Sequence, residues 1–332
     1  MSGDWIGNFD GVDDGSEIEI ADGIFGVYAP FWGYPNVVYF IQSGKSWALI
    51  DTGIAETPGA FIAPFLKRHG GFDSLELVMC THGHLDHIGG NSWVKENSPK
   101  AKFAIGARDA GWAEDVNRHY GQLYEYGAPG GWRPDPESEI AVRAACGGPV
   151  AIDYPLHGGE ILQFGEGRKI EASFLGAHTP GQTLYRDLDT NCIFTGDSIQ
   201  NEGIFNSNSK QRGFPMYGNS RDYRKSLDVI SSVPYSLICT AHAGMFEGKN
   251  AAKLLDDSIK WVDDFSVIIK KLATQLEDFS IEEIVVMVSK EYPVHENSLQ
   301  IRVTTSEHLT DLVVSGFLSP HMSGTEKRWK IK

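Results

Sequence analysis

Three histidines and one aspartate fall within six residues of this chain, at His82, His84, Asp86 and His87. They follow an apolar run, Leu75 to Cys80, that predicts a buried strand. His82 and His84 lie two residues apart and can bind one ion together, whereas Asp86 and His87 lie further on and can reach a second. Imidazole nitrogen and carboxylate oxygen are ligands that zinc, iron, manganese and cobalt accept. The spacing therefore predicts a metal site, and a two-metal site in particular.

Three further candidate ligands follow, each after an apolar segment: His178 in Gly-Ala-His-Thr-Pro-Gly, Asp197 in Phe-Thr-Gly-Asp-Ser and His242 in Thr-Ala-His-Ala-Gly. An isolated histidine is more often a surface residue than a ligand, so each would carry little weight by itself. Strand ends, however, deliver side chains from a rigid scaffold into a shared cleft. Together with the first cluster they supply about the number of ligands that a dinuclear site needs.

The order H-x-H-x-D-H, then His, Asp and His, resembles that of the metallo-β-lactamase-fold hydrolases over residues 18 to 248. The resemblance implies an α/β fold, an αββα sandwich of two mixed sheets flanked by helices. It also implies the ligand sets: His82, His84 and His178 for the first metal, Asp86, His87 and His242 for the second, and Asp197 as the bridge. Asp51, in the early Asp-Thr-Gly, would orient a ligand.

The resemblance further implies two divalent ions, with zinc favoured over iron, manganese or cobalt, and a bridging hydroxide as the nucleophile. Asp86 or Asp197 would help to place the proton. A phenol could donate a hydrogen bond to the developing oxyanion, although tyrosine is also a common wall residue. The candidates for that role are Tyr185, Tyr217 and Tyr223.

Gly83 stands where the flavodiiron proteins place a glutamate, so a role in oxygen or nitric oxide reduction loses support. The glyoxalase II-like and lactonase-like branches are favoured instead. We therefore expect hydrolysis of an ester-type bond (a lactone, thioester or activated or aryl ester) in a small, aromatic or acyl substrate. Cleavage of an aryl ether, a sensor or binding module with vestigial activity, and redox chemistry at a di-iron site remain as alternatives.

Composition limits the partners. The net charge is −15, which argues against a surface that neutralises nucleic acid phosphates. Residues 1–5 lack a basic or apolar targeting region and no run of about 18 apolar residues occurs, so we expect a cytoplasmic protein without membrane contact. The four cysteines show no C-x-x-C spacing and are expected to be buried, reduced thiols.

The predicted catalytic domain spans residues 1–248 and includes an irregular, Gly- and Pro-rich insertion at 106–155. A long loop in a compact domain is usually functional. The insertion is interpreted as a substrate lid or as an oligomer contact, with His119 facing solvent or the lid rather than metal. Its aromatic and histidine residues are Trp112, His119, Tyr120, Tyr124, Tyr126 and Trp132.

Residues 249–318 show the spacing of three amphipathic helices and predict a helical C-terminal extension. Such an extension could cover the site, mediate formation of a homo-oligomer, or serve packing alone. Residues 319–332 are polar and basic, which predicts a flexible tail.

Overall fold

The structure, a computed structural model, describes residue 9 and residues 11–121 and 129–332. Seven strands form its first sheet: β1 (Glu17–Ala21), β2 (Ile24–Tyr28), β3 (Val37–Ser43), β4 (Ser46–Ile50), β5 (Leu75–Met79), β6 (Lys102–Gly106) and β7 (Tyr154–Leu156). They lie in chain order across the sheet. β1 to β4 pair antiparallel, whereas β4 to β7 pair in parallel. The parallel half brings the carboxyl ends of β4, β5 and β6 to one edge, where the loop that carries His82 begins.

Six strands form the second sheet: β8 (Ile161–Phe164), β9 (Arg168–Phe174), β10 (Thr183–Asp187), β11 (Cys192–Gly196), β14 (Leu237–Thr240) and β15 (Met245–Phe246). Their order is β15-β14-β11-β10-β9-β8, and only β11 and β14 pair in parallel. A short hairpin of β12 (Ile204–Phe205) and β13 (Arg212–Gly213) stands apart. His178, Asp197 and His242 all lie in loops beside strands of this sheet.

Helices cover both outer faces. On the first sheet lie a π-helical turn (Pro58–Ile62), α1 (Ala63–Arg68), the 3-10 turn Phe72–Ser74, α2 (Leu85–Ile88) and α3 (Asn91–Asn97). On the second sheet lie α7 (Ser220–Ser232) and the first half of α8 (Gly248–Leu276). The inner faces of the two sheets share one apolar core, which includes Tyr39, Tyr185 and Phe194. The predicted αββα sandwich of two mixed sheets is confirmed.

The insertion at 106–155 is largely helical in its described part. It contains α4 (Ala110–Glu114), α5 (Val116–Gly121), a 3-10 turn (Pro129–Gly131) and α6 (Pro136–Ala145). His119 does not face solvent, because it is 1% exposed and its ring stacks 6.3 Å from that of Trp112. Burial lowers the pKa of His119 to about 4. Tyr124 and Tyr126 lie outside the described residues.

The C-terminal region contains the three predicted helices, which are α8, α9 (Ile281–Glu291) and α10 (Leu299–Val314). α8 belongs to two cores. Leu254 packs with the second sheet, whereas Ile269 packs with α9 and α10. Because one helix serves both cores, the predicted boundary at residues 248 and 249 does not separate two independently packed units.

The expectation of a flexible tail over 319–332 is wrong. β17 (Leu318–Ser323) and β18 (Glu326–Ile331) form an antiparallel hairpin, and β18 also pairs with β16 (Asp278–Ser280). Trp329 anchors this sheet, since it is 4% exposed and stacks on Phe279. One buried aromatic ring and a distant partner strand therefore hold a segment whose composition is polar.

All four cysteines are buried and free, as expected. Among the described residues, none of the helices combines the length and the apolar character that crossing a membrane requires.

Candidate metal centre

The first four candidate ligands lie where β5 passes into α2. His82 and His84 occupy the connecting loop, and Asp86 and His87 lie in the first turn of α2. β5 ends in a buried apolar run and is flanked on both sides by parallel strands, so its carboxyl end is rigid. The change from strand to helix turns successive side chains toward one point above the sheet edge.

The structure brings all seven predicted ligands together. Their donor atoms form three overlapping groups: His82, His84 and His178; Asp86, His87 and His242; and His82, His87 and Asp197. In the first group, Nε2 of His82 and of His178 lie 3.0 and 2.8 Å from Nδ1 of His84. In the second group, Nε2 of His242 lies 3.2 Å from Oδ2 of Asp86.

Asp197 stands between the two groups, with one carboxylate oxygen toward each. Its Oδ1 lies 3.4 Å from Nε2 of His87 and 3.2 Å from Nε2 of His242. Its Oδ2 lies 3.5 Å from Nε2 of His178. This is the arrangement that a carboxylate needs to reach two ions at once.

Three buried atoms in the cluster lie near one another but form no hydrogen bond of good geometry: Nε2 of His87, Nε2 of His242 and Oδ1 of Asp197. An unpaired buried polar atom is costly, and native proteins leave few of them. Here all three converge on one space and belong to ligand types that divalent transition metals accept. The residues present therefore fit divalent metal ions.

Hydrogen bonds on the other ring nitrogen orient three of the histidines. Nδ1 of His87 lies 2.8 Å from Oδ2 of Asp51, Nδ1 of His178 lies 2.6 Å from the Met216 carbonyl oxygen, and Nδ1 of His242 lies 2.7 Å from the Pro35 carbonyl oxygen. Each acceptor fixes a proton on Nδ1 and leaves the Nε2 lone pair for a metal. Asp51 therefore contacts His87, one of the predicted ligands, and its role in orienting that ligand stays a prediction.

Charge and burial set the protonation states. Burial lowers the pKa of His82 and His84 well below the usual value, and neighbouring imidazoles lower it further. Burial also acts to lower the pKa of His242, but Asp197 and Asp86 together outweigh it and raise that pKa to about 10. For Asp197, burial opposes ionisation, yet His242 and His87 hold its pKa well below the usual range. An arriving cation therefore meets ionised carboxylates and must displace protons from part of the imidazole set.

Asp109 was not among the residues predicted from the sequence. It follows β6 and connects the loop that carries His82 and His84 with the loop that carries His178. Its buried carboxylate accepts hydrogen bonds from Gly83 N (2.9 Å), Gly181 N (2.6 Å) and the Thr179 hydroxyl (2.5 Å). Burial raises the pKa of Asp109 to about 6, although these donors act in the opposite direction. Its only signal in the sequence was its position just past a strand that neighbours β5.

Gly83 is required for space. A Cβ there would lie 2.7 Å from Cε3 of Trp112 and 3.1 Å from Cβ of Asp109. Trp112 in turn stacks on His84, with ring centroids 6.0 Å apart. The glutamate that flavodiiron proteins carry at this position would therefore displace the Trp112 ring, which stacks on His84.

The predicted tyrosines do not reach the site. Tyr185 is 0% exposed between the two sheets, and its hydroxyl donates to the Cys80 carbonyl oxygen at 2.9 Å. Tyr217 is equally buried, and its hydroxyl lies 2.7 Å from Nε2 of His308. The Tyr223 hydroxyl accepts from Gln200 N. The expectation that Tyr185 or Tyr217 contacts a developing oxyanion is therefore wrong, because both hydroxyls are occupied in the core. Tyr34, which was not predicted from the sequence, does line the cavity beside the cluster. Its hydroxyl, however, donates a hydrogen bond to Glu296 at 2.7 Å.

Residues 214–217 form a segment that joins the cluster to the C-terminal helices. Phe214 packs in the C-terminal core, and the Pro215 carbonyl oxygen accepts from the Thr304 hydroxyl of α10 at 2.6 Å. The Met216 carbonyl oxygen accepts a hydrogen bond from Nδ1 of His178, and the Tyr217 hydroxyl contacts His308 of α10. His178, a candidate metal ligand, and the C-terminal extension thus both contact this segment of four residues.

The sandwich and its seven-residue cluster define a metallo-hydrolase. The family model of the metallo-beta-lactamase superfamily matches residues 32–242. The chain therefore belongs to the metallo-β-lactamase superfamily. It is similar to the probable metallo-hydrolase YflN of Bacillus subtilis (strain 168), with 25% identity over 260 residues that make up 72% of this chain and 90% of the relative.

Solved structures show the same fold. A metallo-beta-lactamase family protein from Thermus thermophilus has a TM-score of 0.70 at 18% identity, over 95% of this chain and 100% of that one. A beta-lactamase domain protein from Burkholderia ambifaria has a TM-score of 0.69 at 16% identity, over 96% of this chain and 94% of that one. At such identities the likeness concerns the fold alone, and coverage of this extent includes most of the C-terminal region.

Proposed function

We propose that the protein binds two divalent ions, with zinc favoured, and hydrolyses an ester-type bond in a small organic substrate: a lactone, a thioester or an activated or aryl ester. The observation that carries the proposal is the position of Asp197, whose two oxygens face the two ligand groups. His82, His84 and His178 would hold one ion, and Asp86, His87 and His242 the other. Divalent ions at such a site supply Lewis acidity, which lowers the pKa of water and polarises a carbonyl oxygen.

The chain's own residues prepare the site in three ways. Asp51 and the Met216 and Pro35 carbonyl oxygens each hold one imidazole in a single tautomer. The imidazoles of His87, His178 and His242 therefore need little reorganisation to bind a metal ion. Asp109 fixes the two ligand loops relative to each other. Asp86 lines the cavity beside the cluster, and in our proposal its carboxylate takes the proton of the attacking water.

On one side of the cluster, the surroundings support a carbonyl substrate rather than a phosphate. The cavity that contains His84, Asp86 and His178 is lined mainly by aromatic and aliphatic side chains, among them Phe31 and Met216. A phosphodiester would need cationic side chains to offset its charge, and that need is weaker for a neutral ester. A small-molecule substrate remains our expectation, and a cytoplasmic location and self-association stay predictions from the sequence.

The test uses purified protein loaded with zinc and compares it with His84→Ala, which removes a ligand that lies between His82 and His178. A panel of lactones, thioesters and aryl esters is assayed with both. We expect turnover of at least one class by the wild type and a loss of at least about 1,000-fold in the variant. Metal content is measured on both proteins by plasma emission. Fully metallated wild-type protein that hydrolyses none of the three classes would contradict the proposal and favour a binding module.

A further inference from the structure

Two cavities of different character meet at the ligand cluster. We refer to the smaller, of about 270 Å³, as the apolar cavity, and to the larger, of about 910 Å³, as the polar cleft. Asp197, Gln200, Ile204 and His242 line both. A substrate whose scissile bond lies at the cluster therefore has two directions in which its acyl or aryl group could extend.

The apolar cavity lies under the C-terminal extension. Its walls include Trp132 and Val142 of the insertion, Met216 and Leu299. Apart from the candidate metal ligands, its lining contains no ionisable side chain except Tyr34, and no Lys or Arg lines it among the described residues. The remaining residues, 1–8, 10 and 122–128, contain neither Lys nor Arg in their sequence. An anionic group placed in this cavity would lose its hydration without gaining a cationic side chain.

The polar cleft differs in this respect. Arg212 and Lys253 line it, each in an ion pair with an acidic side chain that lines the same cleft, Glu202 and Asp257 respectively. Charged groups can thus be accommodated on that side of the cluster. The two cavities offer a substrate opposite chemical environments on either side of the reacting bond.

Trp32 marks the entrance of the apolar cavity. Its side chain lines the cavity although 45% of the residue is exposed, and its backbone is held at a φ of 49°. A bulky residue in the left-handed region is strained and persists only where its surroundings enforce it. The turn from Phe31 to Tyr34 is enforced by a hydrogen bond from Asn206 Nδ2 to the Trp32 carbonyl oxygen at 3.2 Å. The backbone that carries this half-exposed indole is thus held in place at the rim.

The geometry points to a substrate class. The apolar cavity takes the acyl or aryl group of the substrate, that group is uncharged, and Trp32 determines specificity by covering it. The inference rests on the proposed ester hydrolysis and deepens it, since it names the side of the cluster that binds the group and the charge the group must have.

The first experiment compares two esters with zinc-loaded wild-type protein. p-Nitrophenyl hexanoate and the p-nitrophenyl monoester of adipic acid differ only in a terminal methyl group that a carboxylate replaces. We expect kcat/KM for the hexanoate to exceed that for the adipate monoester by at least about 100-fold, because the carboxylate would be desolvated without a partner. Equal values for the two esters would overturn the inference while leaving ester hydrolysis intact. Failure to hydrolyse either ester or any member of the wider panel would instead contradict the proposed function.

A pair of aromatic variants identifies the cavity that is used. Phe205 is also 45% exposed, but it lines the polar cleft and not the apolar cavity. p-Nitrophenyl acetate shares the leaving group of the hexanoate and lacks its acyl chain. We expect Trp32→Ala to raise the ratio of KM for the hexanoate to KM for the acetate about 10-fold with kcat within about twofold, and Phe205→Ala to leave this ratio unchanged. An equal or larger rise in the ratio for Phe205→Ala would place the acyl group in the polar cleft and overturn the inference.

A pair of lysine variants tests the role of charge. Gln300 lies in the first turn of α10 and lines the apolar cavity, whereas Thr310 is exposed further along the same helix. Gln300→Lys should reduce the preference for the hexanoate at least about 10-fold by giving the adipate carboxylate a partner, and Thr310→Lys should leave it unchanged. Thermal unfolding of all variants verifies folding. A preference in Gln300→Lys equal to that of the wild type would overturn the inference.

Discussion

The Tyr217 hydroxyl lies 2.7 Å from Nε2 of His308. The direction of this hydrogen bond follows from the bond that the other ring nitrogen of His308 makes with Ser266. The Ser266 hydroxyl donates to the Val262 carbonyl oxygen, so its oxygen accepts from Nδ1 of His308 at 2.9 Å. His308 therefore carries its proton on Nδ1, and Nε2 accepts from Tyr217. A tyrosine that the sequence suggested for catalysis thus stabilises the contact between two helices and the 214–217 segment.

Tyr217→Phe should lower the free energy of unfolding by about 1 to 3 kcal/mol, because it leaves Nε2 of His308 buried without a donor. We expect kcat on the best substrate to stay within about threefold of the wild type. Urea denaturation and steady-state kinetics measure the two quantities. Tyr154→Phe is the matched control, since Tyr154 is 43% exposed and its change should cost little. A metallated, folded Tyr217→Phe protein with severely reduced kcat would restore the catalytic interpretation.

Acid should destabilise the protein through His308. Burial lowers the pKa of His308 to about 3, so the unfolded chain binds a proton near its usual pKa while the folded chain does not. Stability is therefore fully present above the unfolded pKa and decreases as the pH falls below it, by about 2 kcal/mol between about pH 7 and about pH 5. His308→Leu should remove this part of the slope in denaturation curves measured across that range. An unchanged slope in the variant would show that His308 is not the group responsible.

Asp197→Ala should reduce the amount of bound metal more than Asp51→Ala does. Asp197 faces both ligand groups, whereas Asp51 acts through His87 and Thr81. Loss of an orienting partner typically lowers metal affinity about 10- to 100-fold, and loss of a shared ligand should exceed this. Metal content after dialysis against a graded series of chelator concentrations measures the difference. Equal retention in the two variants would contradict the bridging position of Asp197.

Asp109→Asn should weaken the metal site without removing a ligand. The amide nitrogen that replaces one carboxylate oxygen would face N–H or hydroxyl donors, so at least one hydrogen bond from Gly83, Thr179 or Gly181 is lost. We expect a loss of stability of about 1 to 3 kcal/mol and at least about 10-fold weaker zinc binding.

Asp153→Asn is the control for Asp109→Asn. Asp153 accepts from Phe103 N at the opposite end of β6, at 3.0 Å, and is far less buried. Zinc affinity should be unaffected in this variant. A similar loss of zinc affinity in both variants would indicate a general effect on the first sheet rather than a connection between the ligand loops.

The convergence of the seven candidate ligands could be predicted because their residue types and spacing are local, and each candidate follows a strand whose apolar run is visible in the sequence. The catalytic prediction for Tyr185 is wrong because β10 is buried on both sides: Tyr185 lies in the core between the sheets and Leu184 in the core beneath the helices, so alternation marks no position that faces the site. Asp109 could not be found, since two of its three donors are backbone amides. β18 was missed because its partner β16 lies about 50 residues earlier and only Trp329 marks the buried face.

The 214–217 segment has a consequence for recombination between relatives. Met216 contacts His178, a candidate metal ligand, and Pro215 and Tyr217 contact α10. A chimaera made by exchanging everything after residue 248 would pair a foreign α10 with the original Pro215 and Tyr217. Such a crossover would disturb His178 even though every ligand is retained, so the C-terminal extension and the 214–217 segment should be inherited together.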